Sequence, residues 1–379
     1  MTAAPPPRPP RLVHVTTVPM SLVFLRGQVG YMRALGYRVW AVSSPGPALE
    51  RFGADEGVEV VPVAMERRIT PLRDLAAVRR LAARLARIRP DVVHAHTPKG
   101  GLLGMLAAAL LRVPVRVYHL RGLAYKGAAG VRRALLRAAD RTACALAHRV
   151  ICVSHSAREA AVRDGVCPPG KVTVLLGGSG NGVDAAGRFD PARLPTGAGA
   201  RTRARFGIPP DAAVVGFVGR LVGDKGIVEL VRAWASLREE FPGARLLLVG
   251  PWEARDPVAP EVRAALEGDP RVHLAGEDWD TPPLFAAMDL LALPTYREGF
   301  PNVLLEAAAM ELPVVATRVP GCVDAVRDGE TGTLVPARDA EALAGALARY
   351  LRDPALRAAH GRAGRARVLR EFRREDLWR

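Results

Sequence analysis

Short apolar segments alternate with amphipathic helical segments along almost the whole chain, and this alternation constrains the fold more than any other feature. The apolar segments predict buried strands, and a helical segment between two strands predicts a crossover in a parallel sheet. One series of predicted strands lies at 11–18, 38–44, 58–63, 91–96, 114–119, 149–153 and 172–176, and a second at 212–220, 244–249, 271–275, 289–293, 312–316 and 332–336. The pattern predicts an α/β protein with two doubly wound sheets facing a cleft.

An irregular segment rich in Gly, Pro and Arg, residues 184–210, separates the two series and predicts a linker. The 379 residues suffice for two cores. We expect a disordered arm over 1–10, a Rossmann-like domain over 11–190 and a second over 205–360, with a helix around 360–379 packing back on the first domain. In such folds ligands bind beyond the carboxyl ends of the strands.

The formal charge of +16 is concentrated in the first half of the chain. Residues 1–184 carry 27 basic and 11 acidic side chains (27 − 11 = +16), whereas residues 185–379 carry 27 of each. A basic domain predicts an acidic partner: an anionic membrane, a phosphorylated acceptor or nucleic acid. The helical segment Val131–Arg149 carries Arg132, Arg133, Arg137 and Arg141. It is either a half-buried core helix or an interfacial helix on anionic lipid, and the charge of this half favours lipid.

The beginning of the chain, MTAAPPPRPPR, lacks the apolar core of a signal peptide. The longest apolar stretch, Gly101–Leu111, is about half of the ~20 residues that a membrane span needs. The four cysteines form no CxxC pair and fit a reducing cytosol. We therefore expect a cytoplasmic protein that is peripheral on the inner face of the cell membrane.

The segment Leu291–Met310, LALPTYREGFPNVLLEAAAM, predicts a phosphate site. A strand ends at Pro294, a polar loop carries Glu298, and Pro301 opens a helix, a position that favours proline. The amides at such a helix start bind phosphate. Glu298 in the loop and Glu306 in the helix could then reach the sugar end and the ribose of a bound nucleotide sugar.

A second loop, Gly219–Gly226, follows the first strand of the second series. Arg220 and Lys225, framed by glycines, suit a diphosphate, and they would neutralise the charge that grows on a leaving phosphate.

These segments resemble the family 4 glycosyltransferases, which have the GT-B fold. The acidic signature of the family matches Glu298 and Glu306, and its diphosphate-binding Arg and Lys match Arg220 and Lys225. Other matches, in family order over nearly the whole chain, are Pro90–His96, Asn181–Asp184 and Gly321–Val335. The runs HAHTPKGGLLGMLAA and GFPNVLLEAAAM look most like the bacterial capsule, exopolysaccharide and O-antigen branch.

The resemblance implies retaining transfer, without a metal or other cofactor, from a nucleotide-diphosphate sugar, with UDP expected. The acceptor implied is a glycan on a polyprenyl diphosphate. Catalytic roles fall to Arg220, Lys225 and Glu298. The expected donor-binding residues are Gly219, Gly299, Phe300, Pro301, Asn302, Val303 and Glu306.

Candidates on the acceptor and sugar side are His96, His119 and Arg121, the last standing where relatives carry a sugar-contacting His. We interpret His94 and His96 as pointing to opposite faces of their strand, so that they cannot both line the cleft and at least one is structural; His96 is the candidate for a site role. The Glu277–Asp280 run resembles a metal-binding DxD, but the fold requires no metal there, and we expect it to border the base. The glycine-rich run 177–182 lacks dinucleotide-motif spacing and predicts a flexible crossover.

Three rival functions remain: a nucleotide-sugar 2-epimerase, a transferase for a small soluble natural product, and a nucleic-acid-binding protein. The paired glutamates disfavour the first. The pI of 10.7 suggests the last, but aromatic residues make up only 5% and no nucleic-acid-binding module is recognisable.

Overall fold

The computed structural model describes residues 8–253 and 256–379, which form two compact units. The first reaches Leu175 and includes Trp378, whose ring centroid lies 5.7 Å from that of Tyr31. The second runs from Leu176 to Leu377 and includes Arg379. Most of the predicted arm over residues 1–10 lies outside the described residues, while Arg8 forms an ion pair with Asp91 at 2.7 Å.

A parallel sheet of seven strands organises the first unit. The strands are β1 (Arg11–Val15), β2 (Arg38–Ser43), β3 (Glu59–Pro62), β4 (Val92–His96), β5 (Val115–Leu120), β6 (Arg149–Cys152) and β7 (Val172–Val174). Their order, β3-β2-β1-β4-β5-β6-β7, reverses between β1 and β4, as in doubly wound folds.

Helices cover both faces of this sheet. They are α1 (Gln28–Ala34), α2 (Pro47–Glu56), α3 (Pro71–Ile88), α4 (Pro98–Leu110), α5 (Gly130–Leu146) and α6 (His155–Arg163). On α3 the buried positions Ala77, Val78, Leu81 and Leu85 recur at helical spacing, so one stripe packs on the sheet and the basic residues face outward. A smaller core around Leu22, Leu25 and Phe52 lies on the opposite face.

The second unit contains a parallel sheet of six strands in the order β10-β9-β8-β11-β12-β13. The strands are β8 (Val214–Val218), β9 (Arg245–Val249), β10 (Val272–Gly276), β11 (Leu290–Leu293), β12 (Val314–Thr317) and β13 (Gly332–Val335). Nearly all residues of these strands except those of the edge strand β10 are buried, which explains the continuous apolar runs in the sequence. The predicted fold class is confirmed.

The helices of the second half are α7 (Ala198–Arg205), α8 (Ile227–Glu240), α9 (Pro260–Glu267), α10 (Thr281–Phe285), α11 (Asn302–Ala309), α12 (Cys322–Ala325), α13 (Ala340–Arg352), α14 (Pro354–Glu371) and α15 (Arg374–Trp378). None of the helices in the described residues combines the length and the apolar character needed to cross a bilayer. All four cysteines are buried and free.

Candidate functional site

The second sheet has its switch point between β8 and β11, the neighbouring strands from which the strand order runs in opposite directions. The loop Gly219–Gly226 follows β8, and the loop Pro294–Pro301 follows β11. Both leave the carboxyl edge of the sheet at the place where doubly wound folds bind their ligands. The two loops singled out by the sequence are therefore neighbours.

Backbone contacts join these two loops. The Asp224 carbonyl accepts hydrogen bonds from the Tyr296 amide at 2.9 Å and from the Thr295 hydroxyl at 3.1 Å. Gly226 has φ +72°, and a Cβ at this position would lie 2.0 Å from the carbonyl oxygen of Pro294. Only glycine therefore allows this approach of the loops.

Side chains of the two loops meet in an ion pair between Lys225 and Glu298. These side chains are only 18% and 13% exposed, so water screens the pair weakly. Arg220 forms an ion pair with Glu253, in the loop after β9. The structure thus joins two predicted site residues and gives Arg220 a partner that the sequence did not reveal.

Helix α11 begins at Asn302, one residue after Pro301, which occupies the N-cap position. The first-turn amides, including those of Asn302 and Val303, have no preceding helical carbonyl to bond, which is the usual basis of anion binding at a helix start. Before the helix, Gly299 lies against Gly321, where a Cβ would come within 2.5 Å of the Gly299 carbonyl oxygen. The Phe300 ring packs 5.7 Å from that of Phe372.

Ser179 is a site neighbour that sequence reasoning missed. It lies in the glycine-rich run 177–182, is buried, and donates a hydrogen bond to the Asn302 side chain at 2.9 Å. Its hydroxyl also accepts from the Gly182 amide at 3.0 Å. The glycine-rich run therefore contacts the start of α11 through Ser179. The available signal was a single serine among glycines directly before the Asn-Gly-Val-Asp motif.

Glu306 lies on α11 and is half-buried. Burial raises the pKa of this carboxyl from 4.5 to about 7, and the Arg188 cation offsets part of the effect. A carboxyl group whose pKa lies near 7 is present in both its protonated and its ionised form at neutral pH. It can therefore donate or accept a hydrogen bond, which suits contact with a pair of hydroxyls.

One carboxylate of the DxD-like run, that of Asp278, has structural partners. Asp278 pairs with Arg205 at 3.2 Å and accepts the Asp280 amide at 2.9 Å, and the Trp279 carbonyl accepts from Arg188. These contacts tie the loop after β10 to neighbouring segments.

In the first unit, four histidines lie on one face of the sheet at the carboxyl ends of its central strands. We call His14, His94, His96 and His119 the histidine cluster. Register pairs His14 with His94 and His96 with His119. The ring centroids of His94 and His96 are 4.1 Å apart. Our prediction that these two point to opposite faces is wrong, because residues two apart on a strand share a face.

Arg121 contacts the histidine cluster through His96, with its Nη2 atom 3.2 Å from His96 Nδ1. Because guanidinium only donates, His96 accepts at Nδ1 and carries its proton on Nε2. That nitrogen lies 3.0 Å from His14 Nδ1 and donates to it. A directed series of hydrogen bonds thus runs from Arg121 through His96 to His14.

Burial controls protonation in this cluster. It lowers the pKa of His14 to about 3 and the pKa values of His94, His96 and His119 well below the usual range, with the Arg121 charge adding to the effect. Burial also lowers the pKa of Arg121 to about 9. The imidazoles are therefore neutral at physiological pH.

The donor atoms of His14, His94 and His96 lie within 4.8 Å of one another, as a metal site would require. Two features oppose a metal there. His96 already accepts from Arg121 at Nδ1 and so carries a proton on Nε2. Metal-bound histidines normally donate their second nitrogen to an acceptor, whereas Arg121 is itself a cationic donor. We assign no metal to the cluster.

Comparison with known proteins follows the same division of the chain. Residues 21–178 match the family model of the glycosyl transferase 4-like domain, and residues 212–353 match that of the glycosyl transferases group 1. The capsular polysaccharide biosynthesis glycosyltransferase CapM of Staphylococcus aureus is 31% identical over 369 residues, covering 97% of this chain and 94% of CapM.

Two further proteins are similar over most of their length. The UDP-Gal:alpha-D-GlcNAc-diphosphoundecaprenol alpha-1,3-galactosyltransferase of Escherichia coli is 27% identical over 293 residues. These residues cover 76% of this chain and 74% of the Escherichia coli protein. The structure of HepE from Anabaena in complex with UDP-glucose superposes with a TM-score of 0.80 at 22% identity, covering 97% of this chain and 96% of HepE. This last likeness concerns the fold.

Proposed function

We propose a function that follows from the family of this chain, which belongs to the family 4 glycosyltransferases of the GT-B fold. The proposed reaction is transfer of a hexose or N-acetylhexosamine from a UDP-sugar. The proposed acceptor is a polyprenyl-diphosphate-linked glycan in surface polysaccharide synthesis. One observation carries the proposal: at the switch point of the second sheet, the loop with Arg220 and Lys225 joins the loop with Glu298 directly before α11. Cations, a carboxylate and helix-start amides are what a nucleotide-diphosphate sugar needs.

Each group has a proposed role toward the donor. Arg220 and Lys225 bind the diphosphate together with the amides at the start of α11, and Asn302, held by Ser179, keeps that start in place. Glu298 orients Lys225 and hydrogen-bonds hydroxyls of the transferred sugar. Glu306 bonds the ribose hydroxyls, while Gly219, Gly299, Phe300 and Val303 shape the backbone around the nucleotide.

The proposed chemistry is transfer with retention of anomeric configuration. The bond between the anomeric carbon and the β-phosphate oxygen breaks, the oxygen keeps the electron pair, and the acceptor hydroxyl attacks the same face. Its proton passes to the leaving phosphate, so no protein nucleophile is required. Arg220 and Lys225 stabilise the charge that develops on the diphosphate, and one such donor contributes ~10²–10³-fold in rate.

Two relatives support the proposed acceptor. One is named for capsular polysaccharide biosynthesis, and the other transfers galactose to a diphosphoundecaprenol-linked sugar. In this chain, His96, His119 and Arg121 are the proposed acceptor-side contacts in the first unit.

Helix α5 supports docking of the first unit on an anionic membrane. Arg132, Arg133 and Arg137 are exposed, and so are the apolar side chains of Val131 (78%) and Leu135 (51%). The helix packs in the core of the first unit through Ala143 and Cys144, so these exposed apolar side chains lie in its first two turns. Exposed apolar and basic side chains together are typical of a helix that rests in the membrane interface.

A mass-spectrometric screen tests the function. UDP-, GDP- and ADP-sugars are incubated with the protein and either membrane or soluble bacterial extract. We expect one glycosylated lipid in the membrane extract, free nucleoside diphosphate, and loss of both with Lys225→Gln. The anomeric configuration of the product, measured by NMR, should match that of the donor.

Other outcomes would contradict specific parts of the proposal. Products that appear only in soluble extract would favour the transferase for a small natural product. Release of an altered free sugar without any acceptor would favour the epimerase. An inverted anomeric configuration would exclude the same-face mechanism.

A further inference from the structure

Both cations proposed to bind the diphosphate form ion pairs with carboxylates, but the two pairs differ. Lys225 and Glu298 are largely buried, and Glu298 has its own proposed role toward the sugar. Arg220 and Glu253 are 44% and 24% exposed, so their pair opens readily. Glu253 has no role in the proposed reaction, yet it pairs with Arg220, one of the two cations proposed to bind the diphosphate.

Described residues on both sides of Glu253 bond to the loop Gly219–Gly226, which we call the diphosphate loop. Before it, the Leu221 amide donates to the Pro251 carbonyl at 2.9 Å. After it, Asp256 accepts the Gly223 amide on its carbonyl at 3.2 Å and the Asp224 amide on its carboxylate at 3.0 Å. These bonds hold residues before and after Glu253 against the loop that carries Arg220.

We infer that Glu253 is a positioning residue that competes with the diphosphate for Arg220 and favours release of the nucleoside diphosphate product. This inference rests on the proposed function. Cleavage of the glycosidic bond leaves the electron pair on the β-phosphate oxygen. This oxygen takes the acceptor proton, but because a terminal phosphate has a second pKa near 6, it gives most of that proton up to water at neutral pH. The product then carries about one more negative charge than the donor. A fixed carboxylate beside Arg220 therefore repels the product more than the donor.

The consequence is kinetic. Product release, rather than the chemical step, limits turnover in many enzymes. A carboxylate that returns to Arg220 as the product leaves would shorten the residence of the product and cost little in donor binding.

The test uses Glu253→Gln, which keeps the shape and removes the charge. The probes are UDP, GDP and ADP. The nucleotide that wild type binds most tightly is titrated by calorimetry, and so is the corresponding nucleoside-diphosphate glucose, called below the glucose ester. An exposed ion pair contributes up to ~1 kcal/mol, which is about fivefold in affinity. We expect the variant to bind the nucleoside diphosphate about fivefold more tightly and the glucose ester about twofold more tightly. Its kcat should fall, and the product should inhibit it more strongly.

The matched control is Glu261→Gln, which removes the same charge from an exposed position on α9. It should bind both probes as wild type does. The gain in Glu253→Gln should also shrink with added salt, since screening weakens the repulsion that was removed.

The outcomes separate this inference from the proposed function. The variant Arg220→Gln should lose binding of the nucleoside diphosphate, which checks the proposed site itself. If it does, and Glu253→Gln binds the nucleoside diphosphate no more tightly than wild type, the inference is overturned while the proposed function stands. An equal gain for both probes would overturn the bias toward product release. Wild type that binds none of the three nucleotides would overturn the proposed function, and this inference with it.

Discussion

Glu306→Gln should remove a pH-dependent loss of stability from the second unit. Burial raises the Glu306 pKa from 4.5 to about 7, so the folded state holds this proton more tightly than the unfolded state. Below pH 4.5 both states are protonated and the group has no effect. Between 4.5 and 7 only the unfolded state ionises, so the free energy of unfolding falls as pH rises. Above 7 the full cost is present.

The size of this effect follows from the same shift. A change from 4.5 to about 7 corresponds to roughly 3 kcal/mol. Because the side chain is only half-buried, solvent screening reduces the cost, and we expect about 1–2 kcal/mol. The difference in unfolding free energy, Glu306→Gln minus wild type, should rise by that amount between pH 4.5 and 8.

Urea unfolding at several pH values measures this difference. Tryptophan fluorescence reports on the second unit through Trp234, Trp252 and Trp279, and the transitions of the two units are fitted separately. Glu239→Gln, at an exposed position on α8, controls for the removal of one charge. A difference that stays flat across this pH range would show that Glu306 is not held protonated, and the proposed bonding to ribose would then involve an ionised carboxylate throughout.

Three further predictions concern the donor and the membrane. Glu306→Ala should weaken binding of the donor nucleotide by ~1.5–3 kcal/mol in calorimetry, because a hydrogen bond to a charged group is worth that much; unchanged affinity would remove Glu306 from the site. Transfer should continue in EDTA, because Arg220, Lys225 and the helix amides hold the diphosphate, and restoration by Mg²⁺ after loss would contradict this. Changing Arg132, Arg133 and Arg137 together to Gln should cost a few kcal/mol of affinity for anionic liposomes, at ~1 kcal/mol each, and leave nucleotide affinity unchanged. Equal sedimentation of mutant and wild type would refute lipid docking by α5.

The strands of both sheets were predictable because parallel strands covered on both faces are nearly continuous apolar runs. The run AAVVGFVGR contains β8 and LALP contains the end of β11, and each is followed within a few residues by charged residues and glycine. These two signals placed the loops of the candidate site at strand ends. They did not specify that β8 and β11 are neighbours, because strand order depends on which crossovers pack together in three dimensions.

The ion pairs of the site lay beyond the reach of the sequence. Glu253 and Arg220 are 33 residues apart and Lys225 and Glu298 are 73 apart, and many acids in the second half were equally available as partners. Ser179 lies still farther, 123 residues from Asn302. Such contacts depend on how loops from different strands fold over one edge, and no short-range pattern encodes this.

The histidine cluster could have been recognised from the sequence, and its position argues for function. Spacing of two within HAH puts His94 and His96 on one face, and parallel register brings His14 and His119 to the same face. A covered face of a parallel sheet is ordinarily apolar. Here, within the described residues, the buried ring nitrogens His14 Nε2, His94 Nε2 and both of His119 have no hydrogen-bond partner, and each such group costs ~1–3 kcal/mol. Packing alone would favour valine at these positions, as on the opposite face of β1 and β4.

The polar residues lie at the carboxyl edge of β1, β4 and β5, where the first sheet has its own switch point. This agreement between chemical cost and position supports the proposal of His96, His119 and Arg121 as acceptor-side residues, and it adds His14 as the group that accepts the His96 proton.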